Sequence, residues 1–151
     1  MTAASNTAPD VSDGRADVVL DAVVLGAGVA GLYQLYQLRG QGLRVRAYES
    51  GSDVGGTWYW NRYPGARFDS ESYIYQYLFS EALYRDWGWS QKFPGQPEVE
   101  RWMHYVADRL DLRKDIQFST TITSAHFDEA AVTMVSRSVS SIRRNALRGT
   151  L

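Results

Sequence analysis

The chain has 151 residues, 44% of them hydrophobic, and a formal net charge of -1 at pH 7. That length allows one ordinary core and one domain, and the near-neutral balance lacks the basic excess that marks nucleic-acid or anionic-membrane partners, so neither is expected. With no cysteine in the chain, disulfides, thiolate metal sites and redox-active cysteine pairs are excluded.

Residues Met1 to Asp17 are mostly small and polar without an apolar run. They fit neither a signal peptide nor a membrane anchor and read as a disordered leader, and a cytoplasmic location is the default expectation. From Val18 to Leu25 the chain is almost continuously apolar and β-branched, which predicts a strand buried on both faces. Val29 to Arg39 carries Leu32, Leu35, Tyr36 and Leu38 at helical spacing, and Gly40 and Gly42 end it. A short strand is predicted over Arg44 to Tyr48. Strand, glycine turn, helix and strand make a βαβ unit and predict a parallel sheet.

All five tryptophans and eight of the ten tyrosines lie between Tyr48 and Tyr105, so this stretch is expected to pack rather than to form a surface loop. Gln96-Pro97-Glu98 reads as a helix start, and Val99, Trp102, Met103, Val106 and Leu110 recur on one helix face that should cover the sheet. Ile116, Phe118, Ile122 and Phe127 suggest one or two extended segments, helped by β-branched Thr120 to Thr123. Arg109, Arg113 and Lys114 alternate with Asp108, Asp111 and Asp115 and read as a solvated helix end. His104 and His126 have no paired spacing, and no metal site is expected. From Val132 to Leu151 there are four arginines and four serines, no acidic residue and no aromatic, and no clean periodicity is read there.

Gly26-Ala27-Gly28-Val29-Ala30-Gly31 fits a dinucleotide fingerprint. The first glycine permits the tight turn, the second lets backbone approach a pyrophosphate, and the third lets helix pack on strand. Glu49 stands 18 residues beyond Gly31, at the end of the second predicted strand, where a carboxylate can accept both ribose hydroxyls. This context sets the loop apart from an ordinary glycine-rich turn, although NAD remains possible from these residues alone. The fold class expected is α/β, a Rossmann-like parallel sheet with a βαβ unit, incomplete, and with an added helical and aromatic segment.

The string from Gly55 to Arg67, Gly-Gly-Thr-Trp-Tyr-Trp-Asn-Arg-Tyr-Pro-Gly-Ala-Arg, followed by Asp69 and Glu71-Ser72, resembles the FAD domain of Baeyer-Villiger monooxygenases. The resemblance runs from about Asp21 to Glu129, roughly seven-tenths of the chain. It implies FAD as the tightly held cofactor, reduced by NADPH, with dioxygen then activated to convert a ketone to an ester or lactone. Carried over by position, it implies that Gly26, Gly28 and Gly31 meet the pyrophosphate, Glu49 the adenosine ribose, and Thr57, Trp58, Tyr59 and Trp60 the flavin end. It further implies a catalytic role for Asp69 near the isoalloxazine and a flavin contact at Tyr75. Ile122 matches a backbone contact near adenine, and Arg67, Phe68 and Asp69 a stretch that also touches NADP. Phe68 and Ser70 depart from residues common in the family, cysteine at the first and valine or isoleucine at the second.

The resemblance also implies parts that these residues do not supply. After Gly95 the only glycine is Gly149, so no second glycine-rich loop for NADPH can be built, and turnover by these residues alone is not expected. The expected organisation is a leader over 1–17, a partial FAD-binding domain over 18–131, and an atypical tail over 132–151 that suggests a frameshift or truncation. An enzyme oxygenating nitrogen or sulfur, or a non-catalytic FAD-binding module, are the alternatives.

Overall fold

The computed structural model describes residues 19–130 and 133–140. Three parallel strands form its sheet in the order β1 (Ala22–Leu25), β2 (Val45–Tyr48), β3 (Ile116–Gln117). Ala22 pairs with Val45, Val24 with Ala47, and Ala47 with Ile116. These five side chains therefore share one face, because alternate residues of paired strands point the same way. Helix α1 (Val29–Gly40) buries Leu32 and Leu35 there.

Four further helices follow. The one-turn α2 (Thr57–Trp60), α3 (Ser72–Tyr75) and α4 (Glu81–Asp86) precede the 14-residue α5 (Gln96–Arg109), which has Pro97 in its first turn. Val99, Trp102, Met103, Val106 and Ala107 of α5 are buried, spaced to form one helix face. Trp102, Met103, Val106 and Ala107 meet Val24, Val45, Ala47 and Ile116 in one core. Truncating a buried tryptophan such as Trp102 to alanine typically costs about 3–5 kcal/mol.

The predicted first strand is corrected in length and in burial. It begins at Ala22, and Asp21 instead turns its carboxylate to the Arg44 N–H at 2.7 Å. Val24 is 3% exposed, but Val23 and Leu25 on the opposite face are 43% and 63% exposed. Among the described residues helices cover only the Val24 face, so an apolar run did not mean burial on both sides.

The acidic and basic run at the end of α5 is also more than a solvated helix end. Arg39, near the end of α1, donates to the Leu110 and Asp111 carbonyls at 2.5 Å each and to Asp115 at 3.1 Å. Arg113 reaches back to Asp53 at 2.5 Å. These bonds tie the ends of α1, α5 and the loop after β2 together, although solvent screening at these partly exposed side chains limits each ion pair to about 1 kcal/mol or less.

After β3 the chain stays beside β2. Ser119 donates to the Gly51 carbonyl and Thr120 to the Glu49 carbonyl, both at 2.8 Å. It then leaves as β4 (Thr120–Asp128), paired antiparallel with β5 (Thr133–Ser140). The first part of the tail, read as lacking periodicity, is thus a strand. Its serines alternate over Ser136, Ser138 and Ser140, a period of two, and β-branched Thr133, Val135 and Val139 favour the strand that pairs with β4. The leader and residues 141–151 lie outside the described residues. Among the described residues no helix is long and apolar enough to cross a membrane.

Candidate dinucleotide site

The first βα turn is built by three glycines that no other residue can replace without movement. Gly26 has φ +91°, in the left-handed region that favours glycine, and its N–H bonds the Tyr48 carbonyl at 2.8 Å. A Cβ on Gly31 would stand 2.0 Å from the Gly26 carbonyl oxygen, inside any van der Waals contact. A Cβ on Gly28 would sit 3.3 Å from the Gly56 Cα. The glycine doublet Gly55-Gly56 therefore closes on the first loop, and the Gly55 N–H bonds the Ala27 carbonyl at 3.1 Å.

Helix α1 begins at this turn with Gly28 as its cap and no acidic residue in its first turn. Its first helical bond runs from the Leu32 N–H to the Gly28 carbonyl at 2.9 Å. The amides before Leu32 have no intrahelical carbonyl to meet, and with the helix dipole they favour an anion. Gly26, Gly28, Val29, Ala30 and Gly31 form one wall of a cleft of about 310 Å³, and Gly55, Thr57, Trp58 and Tyr75 line the rest with Leu25.

Glu49 is only 4% exposed. Its Oε2 accepts the Ala27 N–H at 2.7 Å, and its Oε1 accepts the Gly51 N–H at 2.6 Å and the Ser50 hydroxyl at 3.2 Å. A carboxylate offers about four acceptor positions, so capacity remains on Oε2, facing the glycine turn. Two amides and a hydroxyl fix the orientation of the carboxylate, which suits it to accept from a hydroxyl donor.

The aromatic wall is ordered by its own contacts. The Trp58 indole N–H donates to the Tyr75 hydroxyl at 2.6 Å. The Tyr75 ring lies nearly parallel to Phe68, with centroids 4.6 Å apart and an interplanar angle of 10°, and Trp58 meets Phe68 edge-on at 5.8 Å. Such pairs add about 0.5–1.5 kcal/mol beyond area burial.

The residues singled out from sequence do not all converge. Gly26, Gly28, Gly31, Thr57, Trp58 and Tyr75 line the cleft, with Glu49 and Phe68 directly behind it. Tyr59 turns towards the loop after β2, its hydroxyl 2.8 Å from that of Ser52, and Trp60 is 60% exposed. Arg67 and Asp69 are exposed and outside the cleft lining; Arg67 donates to the Phe93 carbonyl at 3.3 Å. Ile122 is half-buried in β4, two residues beyond Thr120.

Sequence reasoning missed Gln96 as part of the site. Its side chain is 6% exposed and its Nε2 donates to the Trp58 carbonyl at 2.5 Å. The available signal was an amide side chain, Gln96, just before Pro97 at the start of the predicted amphipathic helix.

Ionisable groups behind the site hold the loops. Burial pushes the Asp53 carboxyl up, but the Arg113 guanidinium, the Val54 N–H and His104 together hold it below the usual carboxylate range. Burial pushes the Tyr77 phenol well above its ordinary value, and it donates to the Val29 carbonyl in the first turn of α1. Among the described residues no group of three or more histidines and carboxylates could hold a metal.

A parallel sheet, a glycine turn opening a helix, and a carboxylate at the end of the second strand define a Rossmann-type dinucleotide-binding domain. A family model described as an NAD(P)-binding Rossmann-like domain matches residues 24–87. The chain is 73% identical over 110 residues to acetone monooxygenase (methyl acetate-forming) of Gordonia sp. (strain TY-5), a match covering 73% of this chain and 21% of that protein. It is 54% identical over 110 residues to a Baeyer-Villiger monooxygenase of Pseudooceanicola batsensis, covering 72% of this chain and 20% of that one. A solved steroid monooxygenase bound to NADP superposes with a TM-score of 0.77 at 54% identity, covering 79% of this chain and 23% of the other. The chain belongs to the Baeyer-Villiger monooxygenase family. It matches the amino-terminal part of these proteins and spans about a fifth of the length of the curated relatives named here.

Proposed function

We propose that this chain binds FAD and is the FAD-binding amino-terminal part of a monooxygenase that uses NADPH and dioxygen to convert ketones to esters or lactones. The observation that carries this reading is the glycine turn at the start of α1 with the anchored Glu49 carboxylate beside it. The pyrophosphate would lie against Gly26, Gly28 and Gly31, and Glu49 would accept an adenosine ribose hydroxyl. A 2′-phosphate there would meet a buried negative charge, which favours FAD over NADP at this site.

Thr57, Trp58 and Tyr75 would border the flavin, with Phe68 behind Tyr75 and with Tyr59 and Trp60 completing the segment. Asp69 would stand near the isoalloxazine, orienting positive charge there, and Arg67 to Asp69 would also meet NADP. The Ile122 backbone would lie near adenine. When bound, FAD supplies the electron transfer and oxygen activation, for which side chains have no equivalent. The residues of this chain bind and orient it. The ketone substrate is supported by the name of the 73%-identical relative, which forms methyl acetate.

Titration of the purified chain with FAD tests the reading. Saturable binding, with flavin fluorescence quenched by the aromatic wall and ADP competing, is the expected result. Absence of saturable binding by both FAD and ADP would overturn it.

A further inference from the structure

Helix α2 has four residues, too few to stand as a helix without outside support. The first three of its carbonyls are each taken by a partner. The Thr57 carbonyl accepts the Asn61 N–H at 2.9 Å, the Trp58 carbonyl accepts Gln96 Nε2 at 2.5 Å, and the Tyr59 carbonyl accepts Arg62 Nε at 2.9 Å.

The last two partners are joined. Glu100, one turn along α5 from Gln96, accepts the same Gln96 amide at 2.9 Å through Oε2, and its Oε1 pairs with Arg62 Nη2. One carboxylate thus connects the two side chains that grip consecutive carbonyls of α2. The pyrophosphate turn has supports of its own in Glu49 and the Tyr48 carbonyl, and it meets the start of α2 through the Gly55–Ala27 bond and the Gly28–Gly56 contact.

We infer that Glu100 is a positioning residue that, through Gln96 and Arg62, sets the orientation of Trp58 and so the ring end of the cleft. The inference rests on the FAD reading above. Trp58 carries the indole N–H that holds Tyr75, and Tyr75 lies flat on Phe68, so a rotation of α2 moves the whole aromatic wall. ADP lacks the isoalloxazine, the part of FAD that would lie against that wall in this reading. Losing Glu100 therefore separates the two ligands instead of weakening both.

The test compares FAD and ADP binding by the 151-residue chain and its Glu100→Leu variant, with folding checked by far-UV circular dichroism. The Kd for FAD is expected to rise about five- to tenfold, as for loss of one charge-assisted bond, with the ADP Kd within about twofold. The visible spectrum of the bound flavin should shift in the variant, a signature that loss of stability alone does not produce. If Glu100→Leu does not fold, Arg62→Met at a half-exposed side chain reads the same contrast. Adding Gln96→Met to either variant should cost less than it does in the wild type, because coupled positions are not additive. Wild-type binding of both ligands, with variants that weaken both equally or neither, would overturn the inference. Wild type binding neither ligand would instead overturn the FAD reading on which it stands.

Discussion

Glu49 Oε2 accepts the Ala27 N–H at 2.7 Å across 22 residues of chain, joining the end of β2 to the first glycine turn. The same carboxylate accepts the Gly51 N–H at 2.6 Å. Glu49→Ala would leave two buried amides without partners, each costing about 1–3 kcal/mol. The expected loss of stability is roughly 2–4 kcal/mol in urea unfolding, together with loss of measurable FAD binding. A variant as stable as wild type would show that the carboxylate does not hold the turn.

Gly31→Ala and Gly28→Ala should differ in kind. The added Cβ meets the Gly26 carbonyl at 2.0 Å in the first and the Gly56 Cα at 3.3 Å in the second. Backbone on both sides of Gly31 must move, so that variant is expected to lose about 3 kcal/mol or more. Gly28→Ala should keep its fold but bind FAD roughly tenfold more weakly, because its methyl narrows the approach to the phosphates. Thermal unfolding and FAD titration of the pair separate the two effects.

Stability should depend on Asp53 in acid. Its folded carboxyl is held below the ordinary value by Arg113, the Val54 N–H and His104 in spite of burial. A depressed carboxylate adds stability above its unfolded pKa of about 3.9 and loses it as pH falls through the lower folded value. Asp53→Asn should therefore be less stable than wild type near pH 6, with the gap closing as pH drops below about 4. A gap independent of pH in urea unfolding would contradict this.

Tyr75→Phe keeps the ring stacked on Phe68 but removes the acceptor of the Trp58 indole N–H. The expected cost is about 1–2 kcal/mol, since the partly buried donor loses its protein partner. The near-UV circular dichroism of the tryptophans should change with little change in the far-UV. Unaltered near-UV spectra would mean that this bond does not orient Trp58.

The glycine turn and its carboxylate were legible in the sequence because their requirements are local. Gly26 needs a positive φ, Gly31 needs room beside the Gly26 carbonyl five residues earlier, and Glu49 needs only the end of the next strand. The helix from Gln96 was equally plain from its apolar spacing. The extent of β1 was not, since Val23 and Leu25 have the composition of buried strand residues yet face outward. Burial depends on what lies opposite, and a run of valines carries no information about that. The strand Thr133–Ser140 was legible but not read: its serines alternate at a period of two and Thr133, Val135 and Val139 are β-branched, while the arginine- and serine-rich composition of the whole tail masked that pattern.

The aromatic segment shows the same division at the site. Sequence alone determined that this is an α/β dinucleotide-binding chain of one family, because turn geometry, strand hydrophobicity and a long motif are properties of neighbouring residues. Only the tertiary structure decided that Trp58 and Tyr75 line the cleft, that Tyr59 turns to Ser52, and that Trp60 is exposed. It also decided that Gln96, Glu100 and Arg62 meet behind α2. A one-turn helix has no orientation of its own. The Gln96 side chain, 38 residues from Trp58, and Arg62 held by Glu100 provide it, through hydrogen bonds that exist only once α5 has packed on the sheet.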